Sequence, residues 1–116
     1  MEILTLKKRK DFLRVAGKGE RVITSTLVLQ AAQTLSAPTD ASYVGYTTTK
    51  KIGKAHIRNR ARRRMRAAVR LLFPSLAQPQ MSYVLIGRYN TADCAFSKLC
   101  KDLTYALKKI SAQSTE

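Results

Sequence analysis

The chain has 116 residues, 22 of them Lys or Arg and 7 Asp or Glu, for a formal net charge of +15 and a pI near 10.4. That length predicts one domain, residues 1–116 with an ordered core over about 6–110, and 45% hydrophobic residues argue against disorder. The charge calls for an anionic partner; nucleic acid leads, because guanidinium groups grip phosphates with paired hydrogen bonds.

In chain order, residues 7–16 read as a short helix with Phe12, Val15 and Ala16 on one side, stopped by Gly17 and Gly19 at positive-φ positions. Val22 to Ala32 reads as a strand long enough to bend into two, with Leu27, Leu29 and Ala31 alternating against Thr26, Val28 and Gln30. Ala37-Pro38-Thr39-Asp40 is a turn cluster, and Tyr43 to Thr49 a further strand. Gly53 precedes a helix from Ala55 to Phe73, ended by Pro74. Ser82 to Arg88 holds the continuous apolar run of an interior strand. Asn90 or Asp93 caps a last helix, in which Phe96, Leu99, Leu103, Ala106, Leu107 and Ile110 recur at helical steps, and the final six residues should fray. The order is α-β-β(-β)-α-β-α, an α+β class, with a crossover that general handedness rules make right-handed.

The stretch from Lys50 to Arg70 carries 10 Lys or Arg, and no acid occurs between Asp40 and Asp93. Such a block repels itself unless water screens it or a polyanion neutralises it. Wound as a helix, Ile57, Ala61, Met65, Ala68, Val69 and Leu72 fall within an arc of about 120°. Asn59, Arg60, Arg63, Arg66 and Arg70 fall on the opposite side, Arg62 lies at the border and Arg64 flanks the apolar arc. Arg58 falls within the arc but in the first turn, where it can reach solvent. The expected result is a docked helix showing a ridge of cations, which is a binding surface and not a tail. Its apolar arc of Ala, Met, Ile, Leu and Val lacks aromatic anchors for a lipid interface, which speaks against a membrane surface.

No catalytic constellation is present. His56 is the single histidine, so a two-histidine metal site cannot form within one chain, and it reads as a helix-surface residue. The acids are scattered singly, whereas two-metal nucleases cluster theirs around Mg²⁺. No Gly-x-x-x-x-Gly-Lys loop occurs, and no small-molecule substrate is expected. Cys94 and Cys100, placed in one helix, point too far apart to bridge, and two idle thiols fit a reducing compartment. No apolar run approaches the roughly 18 residues of a membrane span, and the first ten residues place their charge after their apolar side chains, unlike a secretory signal. A cytoplasmic protein is expected. Phe12, Tyr43, Tyr46, Tyr83 and Tyr89 offer one or two stacking platforms for unpaired bases, against core packing as the plain alternative.

Thr49-Lys50-Lys51-Ile52-Gly53-Lys54-Ala55, followed by Arg58-Asn59-Arg60, Arg62-Arg63 and Arg66, closely resembles the signature of the protein subunit of bacterial ribonuclease P. Leu6, Asp11-Phe12, Val15 and Gly19 resemble the family's opening helix, and the strands and terminal helix follow in its order, so the resemblance covers about residues 6–110. It implies a small two-layer α/β sandwich of the ribosomal protein S5 domain 2-like kind, with a left-handed crossover around the basic helix in place of the right-handed one.

The resemblance also implies a ribonucleoprotein whose RNA subunit cleaves precursor tRNA, the Mg²⁺ being held by RNA and substrate. The protein's partners are then the catalytic RNA and precursor tRNA, and it contributes no catalytic residue and no metal ligand. The residues implied for RNA contact are Lys50, Lys51, Gly53, Arg58, Asn59, Arg60, Arg63, Arg66 and Arg70, with Gly53 allowing close backbone approach. Phe12 is implied for the single-stranded 5′ leader. The sequence departs from the family at Ala16 and Gln30, where aromatics often line the leader cleft, and at Lys54 and Ala67, which make the helix more basic. The rival reading is a structural RNA-binding protein of ribosomal type without a role in cleavage.

Overall fold

The computed structural model describes residues 2–34 and 41–114, the side chains of Lys18 and of residues 112–114 excepted. The elements are β1 (Glu2–Thr5), α1 (Arg9–Lys18), β2 (Glu20–Ile23), β3 (Leu27–Gln33), β4 (Ala41–Thr47), a helical turn (Lys50–Ile52), α2 (Ala55–Leu76), β5 (Met81–Gly87) and α3 (Phe96–Ser114). The strands form one mixed sheet in the order β1-β4-β5-β3-β2. β4 and β5 are parallel neighbours, Tyr43 opposite Ser82 and Thr47 opposite Ile86, so the basic helix is the crossover between them. The expected turn at residues 37–40 lies outside the described residues.

Alternation decides what each face of the sheet does. Leu27, Leu29, Ala31, Tyr83 and Leu85 point to one side, where α2 and α3 close the main core with Met65, Ala68, Phe73, Leu99, Leu103 and Leu107. The sheet and these two helices make the two-layer sandwich. Phe73 meets Tyr83 edge to face at 5.1 Å, and the Tyr83 hydroxyl accepts from the Gln78 amide at 2.9 Å. On the other side α1 covers only part of the sheet, packing Val15 and Phe12 onto Leu6, Ala32 and Val84. Beyond α1 no described element covers that face, which is where a ligand can reach the strands.

Several expectations are corrected. β1 was not foreseen: Glu2–Thr5 pairs in parallel with Ala41–Val44, extending the ordered chain below residue 6, and α3 runs past residue 110 to Ser114. The strand 22–32 does bend into two, β2 and β3 pairing antiparallel. Gly17 lies inside α1, and Gly19 has φ −83°, so neither stops the helix by positive φ. Gly19 is required for room instead, since a Cβ there would sit 2.4 Å from the Ala31 carbonyl oxygen. Pro74 lies within α2, in its last turn, where the chain leaves through Ala77 donating to Phe73. Neither Asn90 nor Asp93 caps α3, because residues 90–94 form a separate turn in which Asp93 and Cys94 donate to the Asn90 carbonyl. Cys94 thus precedes α3; both cysteines are free thiols, and burial pushes the Cys100 thiol up.

Candidate nucleic-acid interface

The helical arc read from the sequence docks as drawn: Ala61, Met65, Ala68 and Val69 are buried, with Phe73 extending the stripe. The opposite side of α2 is therefore fixed toward solvent, and Asn59, Arg60, Arg63, Arg66 and Arg70 are all exposed along it. Lys50 and Lys51 stand exposed on the helical turn just before α2. Gly53 joins the two with φ 144°, a conformation that favours glycine, and a Cβ there would press on Ile57 at 3.0 Å. Among the described residues the single ion pair is Lys98–Asp102, far along the chain, so no carboxylate neutralises the ridge.

The arginines divide by what they touch. Arg62 donates to the Thr48 hydroxyl at 2.6 Å and to the Asn59 side chain, tying α2 to the end of β4. Arg64 donates to the carbonyls of Thr91, at 3.0 Å, and Cys94, anchoring the turn before α3. Arg58 is half-buried and donates to the Gly53 carbonyl at 3.2 Å. It therefore braces the entry to α2, a role its place in the apolar arc allowed and the ridge reading missed. Arg66 lies over the Tyr46 ring at 5.4 Å. Burial raises the Tyr46 phenol above its ordinary value, against the opposing charges of Arg66 and Arg70.

The second part of the interface is the cleft between α1 and the open sheet face, about 480 Å³ in volume. Phe12, Leu13 and Ala16 form its helical wall, Gln30, Val84, Ile86 and Thr47 its floor and end, and Lys7 and Arg9 its charged rim. Phe12 is half-buried and its ring covers Gly45 so closely that a Cβ there would lie 2.5 Å from it. It is both a packing residue and a cleft wall. Gln30, 8% exposed, presents a carboxamide where an aromatic ring would be flat and apolar. Lys7, Arg9, Thr47 and Ile86 were not singled out from the sequence, although the Lys-Lys-Arg-Lys run before Phe12 was a visible signal for the first two. Cleft and ridge meet at the end of β4, where Thr47 lines the one and Thr48 holds Arg62 of the other.

The remaining aromatics separate cleanly. Tyr83 is core, Tyr43 is half-buried on the open face, and Tyr89 is 72% exposed. His56 is exposed in the first turn of α2. No three His, Cys, Asp or Glu side chains converge among the described residues, and no described helix is long and apolar enough to cross a membrane.

The ribonuclease P family model matches residues 2–111. Over 109 residues the chain is 45% identical to the ribonuclease P protein component of Paramagnetospirillum magneticum, covering 92% of this chain and 82% of that one. Identity to the ribonuclease P protein component of Ruegeria pomeroyi is 41% over 111 residues, covering 95% and 88%. The structure of the Staphylococcus aureus RNase P protein aligns with a TM-score of 0.77 at 25% identity, over 90% of this chain and 93% of that one. The RNase P protein from Thermotoga maritima shares the fold, with a TM-score of 0.77 at 24% identity over 91% and 96%. These matches do not favour the ribosomal-type alternative. By sequence and fold together, the chain belongs to the family of ribonuclease P protein components and takes the part of the protein subunit of that enzyme.

Proposed function

We propose that the α2 ridge docks on the catalytic RNA of ribonuclease P while the α1 cleft holds the 5′ leader of precursor tRNA, so that the RNA subunit hydrolyses the leader away. The observation that carries this reading is the exposed row Arg60, Arg63, Arg66 and Arg70, unpaired with any carboxylate among the described residues and joined through β4 to an open cleft. Lys50, Lys51 and Asn59 extend the row toward the entry of α2, and Gly53 lets the backbone approach the RNA. Arg58 contributes chiefly by bracing that entry.

The contribution to catalysis is electrostatic. Two polyanions, the RNA subunit and its substrate, must be brought together, and each cation placed between them releases counterions and lowers the Mg²⁺ needed for the same approach. Mg²⁺ is held by RNA and substrate in this scheme, and the chain's own residues bind, orient and neutralise. In the cleft, Phe12 offers a ring edge and Gln30 both a donor and an acceptor, so polar contacts carry more of the leader than stacking does.

Reconstitution tests this. Purified protein with Mg²⁺ and labelled precursor tRNA is expected to give no cut, and adding the cognate RNA subunit is expected to give one, at lower Mg²⁺ than the RNA requires alone. Cleavage by RNA-free protein, or an unchanged Mg²⁺ requirement, would overturn the reading.

A further inference from the structure

Helix α1 leaves a groove on each of its flanks, and the cleft beside Phe12 is only one of them. The second, about 620 Å³, lies at the opposite ends of the same strands. Lys10, Asp11 and Arg14 form its helical wall, on the side of α1 turned away from Phe12 and Ala16, and Tyr43, Ser82 and Thr34 form its floor. Lys7 and Lys8 close its rim. Four cations thus face one carboxylate, Asp11, and none of them pairs with an acid among the described residues.

The polar groups of this groove are unevenly satisfied. Thr34 and Ser82 share a hydrogen bond of 2.7 Å, and Arg14 donates to the Gln33 carbonyl at 2.8 Å, which fixes its guanidinium at the groove's edge. The half-buried Tyr43 hydroxyl has no hydrogen-bond partner among the described residues, nor do the ammonium groups of Lys7, Lys8 and Lys10. Lys7 lines both grooves, so the charged path runs without interruption from the cleft into this one.

We propose that the second groove takes the continuation of the unpaired leader strand, the nucleotides further from the cleavage site than those in the cleft. Lys8, Lys10 and Arg14 neutralise its phosphates, and the Tyr43 hydroxyl donates to a phosphate or ribose oxygen. The proposal rests on the reading that the cleft holds the leader, and it adds a second, chemically different site: cationic and hydroxyl-bearing where the cleft is largely apolar. A single strand fits this groove because its charge is presented along a flexible backbone that can turn past α1.

The test compares precursors with leaders of about four and about ten nucleotides, spanning the size of a one-domain single-strand site, and mature tRNA as reference. Each is titrated, over a salt series, against holoenzyme reconstituted with wild-type, Lys8→Gln/Lys10→Gln or Tyr43→Phe protein. The long leader is expected to bind wild-type holoenzyme more tightly than the short one. The double variant is expected to lose most of that extra affinity and to flatten the long leader's log–log salt slope by roughly one to two units, leaving the short leader unchanged. Tyr43→Phe, which keeps the ring, is expected to lose a smaller part of the same gain. A wild-type holoenzyme indifferent to leader length, or a gain that survives the double variant, would overturn the proposal. So would equal weakening of long, short and mature RNA, which would place the lysines on the catalytic RNA. If the short leader gives no gain over mature tRNA while the lysine-dependent gain of the long one persists, the cleft reading fails and the second groove stands.

Discussion

Replacing Arg60, Arg63 and Arg66 together with Gln is expected to flatten the log–log dependence of catalytic-RNA affinity on salt by about two to three units. Each guanidinium that meets a phosphate releases counterions equivalent to roughly 0.7 of a unit on single strands and 0.9 on duplex, so three contacts sum to that range. All three side chains are exposed, and α2 is held by residues on its other side, so the change removes charge without opening the core. Arg66 alone has a second contact, the Tyr46 ring, and a melting curve of the variant separates any loss of fold from loss of charge. Titration of folded catalytic RNA across a salt series reads the slope. An unchanged slope would show that the ridge faces something other than RNA.

The ridge was legible because one helix contains both the apolar stripe that docks it and the cations that this docking turns outward. Ala61, Met65, Ala68 and Val69 at three- and four-residue steps fix the rotation of α2, and the rotation then assigns the arginines. The bracing roles of Arg58, Arg62 and Arg64 were not legible, because their partners, Gly53, Thr48, Thr91 and Cys94, are carbonyls and a hydroxyl that any residue pattern could supply. β1 was missed for a related reason: four residues with a partly buried middle gain their strand character from β4, almost forty positions away. Pro74 misled because proline ends helices by the hydrogen bond it cannot give and the clash it makes with the preceding turn. Here the helix runs on past Pro74 only to Leu76 before the chain leaves at Ala77. The cleft was half visible, through Phe12 and the substitutions at Ala16 and Gln30, while its floor depended on which strands became neighbours.

The largest effect on stability is expected at Asp102, which the sequence left as one of several isolated acids. Its carboxylate accepts from the Thr26 hydroxyl at 2.7 Å, the Thr26 amide at 3.2 Å and the Ser25 hydroxyl at 3.1 Å, closing the corner between β2 and β3 onto α3. Lys98 adds a contact of 2.8 Å from one turn earlier on α3, with its ammonium half in solvent, where screening reduces its share. Asp102→Ala leaves the buried donors of Thr26 without a partner, and a loss of about 2–4 kcal/mol is expected in denaturant unfolding.

The same network gives a pH signature. Burial pushes the Asp102 carboxyl up, but the hydrogen bonds from Lys98, Thr26 and Ser25, with the Lys98 charge, outweigh it and hold it below the usual carboxylate value. A carboxyl held low in the folded chain stabilises it fully above the unfolded value, near pH 4, and the stabilisation is lost as pH falls through the folded one. The stability gap between wild type and Asp102→Asn is therefore expected to be constant from neutral pH down to about 4 and to narrow below it. A gap that does not change on acidification would show that the hydrogen bonds hold the neutral acid as well as the carboxylate.

The proposed hold on the leader is what would set this subunit apart from a basic protein that merely coats RNA. The most direct measurement is a pair of titrations, precursor and mature tRNA against the catalytic RNA, with and without the protein. The protein is expected to strengthen precursor binding more than mature binding, and Phe12→Ala to shrink that difference by roughly 1 kcal/mol as one ring contact is lost. Because Phe12 also packs on Gly45, the variant's melting curve is recorded alongside, and the comparison is made below its transition. Equal strengthening of precursor and mature tRNA by the wild-type protein would contradict the leader-binding role of the cleft.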